Sequence, residues 1–473
     1  CGWRMNGNAA IGNWPGSAWT AASTPTFTGG DIIGMALDMD NGAVYFRKNG
    51  TWLASADPTS GASKTGAMHT WTPHPHVPLT PAVYCQNLDE IYLNTGAVPF
   101  ANQGPSGYKT WCSQNLPDFS SGGTLNQPNK FFNITQHSGT GGTSSIDVGF
   151  EPGMGIWWAE NVVSTKYLFD QIRGDGHAFK TNNTDASVST SKQSFETNGI
   201  EVVDDGTYEL NKTGQNYRGY FWNLSSSTPS TAGALNATDS WFNDTTGMEI
   251  LKRTGDGNTR TIGHQLGAEP TFIWDKKNAS GTNDHWYVYN KYYGGGKHGR
   301  LDRTDKFKDT ENTNQPWADT DATSTVFTVG GNQNLNGSTY HTVLFTEKPG
   351  FSRFGVLRGK EDVNPLNYAY TGFRPAFVMI FNASGGASGY DDSTREHKQW
   401  YMWDIKDNPV RNWRSTLGHM NNTYAQTYDI YHSIVMNSNG FAFATVNAQL
   451  NQNNEKHVWA AFAEHPWKIA RAA

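Results

Sequence analysis

One strand-like phrase occurs twice in this chain, and the repetition restricts the fold more than any other feature. The segment 340–350 reads YHTVLFTEKPG, and the segment 457–467 reads HVWAAFAEHPW. They align without a gap and place Phe462 on Phe345. Because the spacing is close to the length of a small domain, we infer a duplicated module rather than a local motif.

Two further phrases recur in the same order and extend the duplication to three copies. Each copy has a Gly-x-x-Pro start, an apolar strand, an aromatic strand, a polar connection and a closing strand. Short strands with one apolar face bury it against another sheet, so each copy is predicted to be a small β-sandwich. The copies are predicted to share one strand order, with Pro152, Pro270 and Pro375 at equivalent points. The Gly-x-x-Pro strands are GFEPGMGIW (149–157), GAEPTFIWD (267–275) and GFRPAFVMI (372–380), and the aromatic strands are KYLFD (166–170), HWYVYN (285–290) and QWYMWD (399–404).

The composition favours an all-β chain. Charged residues make up 16% of the sequence, below the usual ~25%, whereas aromatic residues make up 13%. We therefore predict helix content under about 10%, against a typical ~30–35%. A net charge of −6 gives no basic surface for nucleic acid, and no apolar run is long enough for membrane insertion.

The first part of the chain is predicted to be a β-meander of a different type. Asn41-Gly42 and Asn49-Gly50 flank the strand 43–48, and Asn-Gly is the strongest short hairpin signal. The motifs at Gly30–Gly34, Leu37–Gly42 and Phe46–Gly50 resemble the core of the SPRY family. We expect a SPRY-like module with some of its early strands missing.

The segment that follows strengthens a second resemblance. NTGAVPFANQGPSGYKTWCSQNLPD (94–118), followed by repeats with YLFDQIRG (167–174) and a closing AFAEHPW, is similar to tailed-bacteriophage virion proteins of the tail fibre or appendage type. This resemblance implies tandem concanavalin A-like, jelly-roll sandwiches. The expected domains are 1–118 (SPRY-like, with a connecting tail), 119–235, 236–350 and 351–473.

Candidate catalytic groups are sparse. A retaining glycosidase needs two carboxylates about 5 Å apart. Two clusters come nearest: Glu201, Asp204 and Asp205 before a glycine turn, and Asp391, Asp392 and Glu396 after a Gly/Ser-rich loop. Their spacing and context favour solvated turn residues, so we predict no catalytic residues and no enzyme activity; a glycan depolymerase is the alternative.

Metal and cofactor sites are not expected either. His69, His74 and His76 cluster in HTWTPHPH, but the flanking prolines favour an exposed, extended loop over a zinc site. The chain has no phosphate-binding loop and no nucleophile elbow. The three cysteines, Cys1, Cys85 and Cys112, are expected to be free thiols, with a Cys85–Cys112 bridge as the alternative.

Two loops carry aromatic residues beside basic ones and are the candidate ligand-binding sites. One has Tyr292 and Tyr293 before three glycines, and the other has Trp413 between Arg411 and Arg414. Aromatic faces stack on sugars, and Arg donates hydrogen bonds to hydroxyl groups. The alternative is that these side chains pack under their own loops or at a subunit contact.

These observations lead to one functional expectation. The chain is expected to be a structural protein on the virion exterior, assembled in the bacterial host cytoplasm, which attaches to the host surface. The alternative structural role is a capsid decoration or head fibre. The expected partners are two further copies in a homotrimer, other virion proteins and a host cell-surface glycan, with no nucleic acid and no cofactor.

Overall fold

The structure is a computed structural model, and it confirms the predicted all-β fold class. Among the described residues the α-helical content is one four-residue helix, and no helix there is long and apolar enough to cross a membrane. Contacts divide the chain into a first unit, Cys1–Leu116, and a second unit, Pro117–Ala473. The structure describes residues 2–6, 10–14, 28–71, 92, 94, 99–110, 130–190, 192–281, 284–309, 314–362, 367–384, 399–407, 413–445 and 448–463.

The first unit contains the predicted hairpin. Asn49 and Gly50 have φ values of 47° and 89°, so both residues occupy the left-handed region that a tight two-residue hairpin turn requires. Cys85 and the other predicted features of this unit that fall outside the described ranges are not placed by the structure. Its strands are β1 (Gly2–Asn6), β2 (Ala10–Trp14), β3 (Ile33–Asp38), β4 (Ala43–Lys48), β5 (Thr51–Trp52) and β6 (His69–Thr70).

The second unit consists of three runs of strands, which we call modules A, B and C. Module A contains β7 (Phe132–Ser138), β8 (Thr143–Asp147), β9 (Met154–Ala159), β10 (Tyr167–Asp170), β11 (His177–Lys180), β12 (Val188–Ser189), β13 (Gln193–Glu196), β14 (Gly199–Val203) and β15 (Asn216–Trp222). Module B contains β16 (Ser225–Ser227), β17 (Asp239–Asn243), β18 (Met248–Thr254), β19 (Arg260–Gly263), β20 (Phe272–Lys277), β21 (Trp286–Asn290), β22 (Lys297–Arg300), β23 (Lys308–Asp309), β24 (Val326–Val329) and β25 (Thr339–Phe345). Module C contains β26 (Ser352–Arg358), β27 (Asn367–Tyr370), β28 (Pro375–Asn382), β29 (Tyr401–Asp404), β30 (Trp413–Arg414), β31 (Thr416–His419), β32 (Thr427–Tyr428), β33 (Ile434–Asn437), β34 (Gly440–Phe443), α1 (Ala448–Asn451) and β35 (Lys456–Ala463).

The large sheets of the three modules have one strand order. It runs β7-β15-β9-β10-β11-β12 in module A, β18-β25-β20-β21-β22-β23 in module B and β26-β35-β28-β29-β31-β32 in module C. Strand pairing also aligns Trp222, Phe345 and Phe462, as the repeated closing phrase predicts for the last two. In module B, β17 and β16 extend the sheet beyond β18. β16 therefore pairs in module B, although the predicted boundary assigned its residues to the first repeat; the domain boundaries stay a prediction.

Each module has a small second sheet and a core of its own. The small sheets are β8-β14-β13, β19-β24 and β27-β34-β33-β30. In module A the core between the sheets includes Trp157, Phe169 and Ile200, and modules B and C have separate cores of the same kind. Each module is thus a sandwich in which one face of the large sheet covers the small sheet.

The other face of every large sheet contributes to one further core, which we call the shared core. It contains Met154 of module A, Phe272 of module B, Phe377 of module C and the aligned closing-strand residues. The Trp222 and Phe345 rings lie 5.4 and 6.4 Å from the Phe462 ring. The cavity left among these side chains has a volume of only about 10 Å³, so the shared core is closely packed.

Neighbouring modules also meet through equivalent hydrogen bonds. The Trp286 indole N–H of module B donates to the Lys180 carbonyl of module A at 2.9 Å. The Trp400 indole N–H of module C donates to the Arg300 carbonyl of module B, also at 2.9 Å. Strand pairing places these donors and acceptors at equivalent positions. The modules therefore follow one another by a repeated operation, as the subunits of a cyclic trimer do.

Candidate functional site

The first predicted ligand loop lies at the contact between modules B and C. The Tyr292 hydroxyl donates to the Phe354 carbonyl at 3.1 Å, and the Tyr293 ring packs 5.0 Å from Phe307. The Lys456 ammonium lies 5.2 Å from the centre of the Tyr293 ring. Both tyrosines are half-buried, and burial raises the pKa of Tyr293. These contacts favour the packing alternative, and a ligand role for either residue stays a prediction.

The second predicted loop is only partly described. Trp413 lies in β30, where it pairs with Val435, but its side chain is outside the described part, as is all of Arg411. Arg414 is 2% exposed, so its guanidinium is buried rather than presented to a ligand. The described parts of the two loops lie in different elements: one is at the contact between modules B and C, and the other belongs to the small sheet of module C.

The described carboxylates of the first candidate cluster stabilise a turn. Asp205 accepts hydrogen bonds from the backbone N–H groups of Thr207 and Tyr208 at 2.8 and 2.9 Å, and Asp204 accepts from that of Gly206 at 3.0 Å. Their oxygen atoms therefore satisfy backbone donors near the end of β14.

His69 is half-buried, and burial lowers its pKa. Within the described residues, no group of three His, Cys, Asp or Glu side chains could hold a metal ion. The remaining candidates lie outside the described residues: Asp391, Asp392, Glu396, His74, His76, Cys1, Cys85 and Cys112.

The sequence analysis missed a buried charged network where module C meets module A. Arg218, which is fully buried, bonds Glu160 at 2.7 Å, Asp407 at 2.5 Å and Asp404 at 3.3 Å. The Tyr220 hydroxyl also donates to Asp404, at 2.9 Å. An arginine inside the apolar phrase YRGYFWN was the available signal, because the aligned positions of the other modules hold His341 and Val458.

The network carries one positive and three negative groups. Burial and the nearby Asp404 raise the pKa of Asp407 to about 6, even though Arg218 contacts it. Burial opposes the charge of Arg218, but the carboxylates of Asp404, Asp407 and Glu160 outweigh this effect and raise the pKa of the guanidinium. The junction between modules C and A therefore contains a buried charged network that is sensitive to protonation.

A second charged group at this junction replaces a tryptophan. Lys166 aligns with Trp286 and Trp400, and its ammonium donates to the Tyr424 carbonyl of module C at 2.7 Å. It also lies 4.7 Å from the centre of the Trp158 ring. Burial lowers the pKa of Lys166 to about 7.

A polar cleft opens beside the charged network, between the edge strands β7 and β8 of module A. Its volume is about 380 Å³. The lining includes Asn133, Thr135, His137 and Asp147 of module A and Lys406 of module C. Hydroxyl, amide, imidazole, carboxylate and ammonium groups in one cleft can hydrogen-bond a ligand but do not form a recognisable catalytic dyad.

Comparisons with known proteins identify the part of the chain that forms modules A to C. No curated protein sequence matches the chain, and no solved structure matches it. One family profile matches residues 127–466, which is more than half of the chain and includes all the strands of the three modules. The chain therefore belongs to the family described as a domain of unknown function (DUF7483).

Proposed function

We propose that this chain is a structural, non-enzymatic protein on the exterior of a bacteriophage particle, in a tail fibre or appendage, where it attaches the particle to the host surface. The sequence resemblance to such virion proteins supports the proposal. The SPRY-like motifs of the first unit and the repeated sandwiches of the second follow the same order as in those proteins.

The observation that carries the proposal is the shared core of modules A, B and C. Phe272, Phe377 and Phe462 belong to it together with residues of module A, so each large sheet buries side chains of its second face in this core. This packing makes one body of three sandwiches and holds the loops at their ends in fixed relative positions. A body of this kind suits mechanical attachment, because a surface presented in fixed geometry loses less conformational entropy on binding.

Attachment by such a body does not require high affinity at each site. A contact of millimolar affinity is worth about −4 kcal/mol. Several copies on one particle that bind at once raise the effective affinity by about 10²–10⁴ without any new contact. The proposed role therefore needs only a weak, repeated recognition of the host surface.

The proposal of a homotrimer now needs separate support. Separate sandwiches on flexible linkers would need association with other chains to become stiff, but modules A to C already share a core. A homotrimer stays a prediction. Light scattering on the purified chain tests it, since a stable species near the chain mass of 52.2 kDa excludes a trimer in solution.

Gold-labelled antibody against the purified chain, applied to intact particles and imaged by electron microscopy, tests the location. Label on the tail or its appendages is the expected result, and label on the capsid would instead favour the decoration or head-fibre role. Label that is found only on disrupted particles, or on no particles at all, contradicts an exterior location.

Incubation of the purified chain with host envelope polysaccharide tests the enzyme alternative. We expect no shortened oligosaccharides in size-exclusion chromatography with mass detection. A known depolymerase on the same polysaccharide is the positive control, and released oligosaccharides would replace the structural proposal by the depolymerase one.

A further inference from the structure

Module C exposes aromatic side chains in one short segment at the edge of its large sheet. Tyr428 of β32 is 73% exposed, Tyr431 is 64% exposed and Tyr424 is 52% exposed. Ile430, also 52% exposed, lies among them. Residues 424–431, which we call the tyrosine segment, thus hold four of the thirteen large hydrophobic side chains that are exposed in the described part of the chain. Such a concentration of exposed apolar side chains commonly marks an interaction site.

The edge strands of the three modules can be compared residue by residue, and the comparison shows that the fold does not need these rings. β12, β23 and β32 pair with their neighbours in the same register, and the turns before them are equally long. Tyr428 aligns with Ser189 of module A and Asp309 of module B, both of which are exposed. The segments that align without a gap are 177–189, 297–309 and 416–428.

The position of Tyr424 differs in the same way. Modules A and B have an aspartate there, and each aspartate is paired with a basic residue on the preceding strand. In module C the aligned pair is Tyr424 and His419, whose rings lie 5.8 Å apart, and burial lowers the pKa of His419 to about 3. Module C therefore replaces an ion pair by two neutral rings. The ion pairs are Lys180–Asp185 at 2.8 Å and Arg300–Asp305 at 3.2 Å.

The backbone below the exposed rings is fixed to module A. The Ser164 N–H of module A donates to the Thr423 carbonyl at 2.8 Å, and the Gln426 N–H donates to the Glu160 carbonyl at 2.6 Å. The buried ammonium described above holds the Tyr424 carbonyl between these two bonds. The rings therefore stand on a backbone that is already ordered, which lowers the entropy cost of binding.

The polar groups of the segment are neutral or already bonded. Its one charged side chain, Asp429, accepts from the Tyr431 N–H at 2.8 Å and shares a hydrogen bond of 2.6 Å with His432. The hydroxyl groups of the three tyrosines make no hydrogen bond within the described part of the chain. Each phenol can therefore both donate to a ligand and accept from it.

The size of the exposed apolar area selects among partners. An aromatic side chain can bury about 150–250 Å², so three rings and one isoleucine with these exposed fractions offer roughly 500 Å². A stable protein partner needs about 800 Å² on each side. An added peptide strand would need a row of backbone groups, but β32 has only two residues. An anionic lipid surface would need lysine or arginine, and the segment has neither.

A neutral oligosaccharide fits the same features. The apolar C–H face of a sugar ring packs on an aromatic ring, and sugar hydroxyls exchange hydrogen bonds with phenols. Chain geometry places the Cα atoms of Tyr424 and Tyr428 no more than about 14 Å apart, and those of Tyr428 and Tyr431 no more than about 11 Å apart. A short oligosaccharide can therefore contact more than one ring.

We propose that the tyrosine segment of module C binds a neutral oligosaccharide of two or three sugar residues, with sugar rings stacked on Tyr424, Tyr428 and Tyr431. The inference deepens the proposed attachment function and rests on it only for the biological source of the glycan. It assigns the recognition to module C, because modules A and B have acidic or hydroxyl side chains at the aligned positions.

Binding of a defined sugar panel to the purified full chain tests the proposal. The probes are maltotriose, cellotriose, mannotriose, N,N′,N″-triacetylchitotriose and lactose, and the methods are saturation-transfer difference NMR and calorimetry. At least one probe should bind saturably at about millimolar concentration. Tyr428→Ser should weaken that binding about two- to tenfold, the range expected for the loss of one aromatic contact.

Three further variants separate stacking from folding. Tyr428→Phe keeps the ring and should bind within about twofold of the unaltered chain. Tyr424→Asp should weaken binding, and both Tyr424→Asp and Tyr428→Ser should keep the melting temperature, because modules A and B fold with such residues at the aligned positions. Tyr92→Ser is the matched control, since Tyr92 is an 89% exposed tyrosine of the first unit. It should bind as the unaltered chain does.

Three outcomes overturn the proposal: no saturable binding of any probe, unchanged binding in both Tyr428→Ser and Tyr424→Asp, or an equal loss in Tyr428→Phe and Tyr428→Ser. Light scattering of the same variants tests a second copy of the chain as the occupant, and an oligomer that Tyr428→Ser dissociates would replace the sugar by that copy. These results concern purified protein and leave the particle location to antibody labelling. Failure of the sugar site and failure of the exterior location are therefore distinguishable.

Discussion

Substitution of Arg218 by methionine should show how strongly the charged network holds modules C and A together. Methionine keeps most of the side-chain length and removes the guanidinium. Glu160, Asp404 and Asp407 would then lie together without a positive partner, and the Glu160 and Asp404 side chains are less than 10% exposed. Removal of one partner from a buried ion pair typically costs about 3–5 kcal/mol. We expect the free energy of unfolding at pH 8 to fall by that amount.

The loss should depend on pH, and its sign follows from the carboxylates. Asp407 already has its pKa raised to about 6, so the folded state binds more protons than the unfolded state between about pH 4 and 6. This contribution destabilises the folded chain as pH rises through that window. Without Arg218 the carboxylate pKa values rise further, the window extends to higher pH, and the loss should be smaller at pH 5 than at pH 8.

Urea unfolding followed by tryptophan fluorescence at pH 5 and pH 8 measures both effects. Arg253→Met is the control, because Arg253 is also fully buried and pairs with Asp275 at 2.6 Å, but inside module B. Hydrogen exchange should increase at β15 and β29 in the Arg218 variant and at β18 and β20 in the control. A loss below about 1 kcal/mol at pH 8, or an equal loss at both pH values, would refute the reasoning.

Three further substitutions test the junctions. Burial lowers the pKa of Lys166 from 10.5 to about 7, which corresponds to a destabilisation of the folded chain by at most about 5 kcal/mol. Lys166→Met removes this destabilisation but leaves the Ser164 and Tyr424 carbonyls without their donor, at a cost of about 1–3 kcal/mol each. The unfolded state binds the extra proton between pH 7 and 10.5, so the stability of the unaltered chain should rise across that window and Lys166→Met should abolish the rise. A persisting rise in urea titrations would assign it to another group. Gly418→Ala places a Cβ 2.9 Å from the Trp158 ring and should lower the free energy of unfolding by about 1–3 kcal/mol. Gly142→Ala is the control, because no atom lies within 4 Å of the added Cβ, and it should change stability by less than about 0.5 kcal/mol. Equal shifts in the melting temperatures of the two variants would contradict this contact. Tyr292→Phe removes the donor to module C and should cost about 1 kcal/mol while leaving attachment to cells unchanged; weakened attachment at full stability would instead support the ligand role.

That the modules share one strand order was predictable from the repeated phrases, because each marks a strand by its turn and its apolar run. The shared core was not predicted, although its signal is present. MGIWWA in β9 and PAFVMIFN in β28 are buried at every position, without the alternation of a half-exposed strand. Strands without alternation have two covered faces. Each module supplies a small sheet for only one face, so the second face had to be covered by another module.

The packing of two candidate ligand residues could not be predicted for a related reason. Tyr292 and Tyr293 stand in a glycine-rich, basic segment that resembles an exposed loop, yet both are half-buried at the contact of modules B and C. Sequence context within one repeat does not show which loops face a neighbouring repeat. The same limit hid the polar cleft, because its lining comes from β7 and β8 of module A and from Lys406 of module C.

The network of Arg218 was also beyond the reach of local patterns, because Asp404 comes from the far end of the repeat array. Its partner could be inferred only by knowing that module C returns to module A. The aligned His341 offers a partial precedent: it is buried next to Phe179 of module A, and burial lowers its pKa to about 3. The residue at this strand position therefore differs between the modules: Arg218 is charged, His341 is neutral and Val458 is apolar.

The placement of the charges suggests what they contribute to assembly. The junctions A–B and B–C join modules that follow each other in the chain, whereas module C reaches module A only by non-covalent contact. At that junction Lys166 stands where Trp286 and Trp400 stand in the other two, and Arg218 stands where Val458 does. Because the three modules share one strand order, a module could dock on the wrong neighbour or on a module of another chain. Buried charges that find partners only in the correct pairing penalise the alternatives, at a cost in stability that an apolar contact would not have. The C–A junction is where such discrimination matters most, since only the contact itself selects the partner.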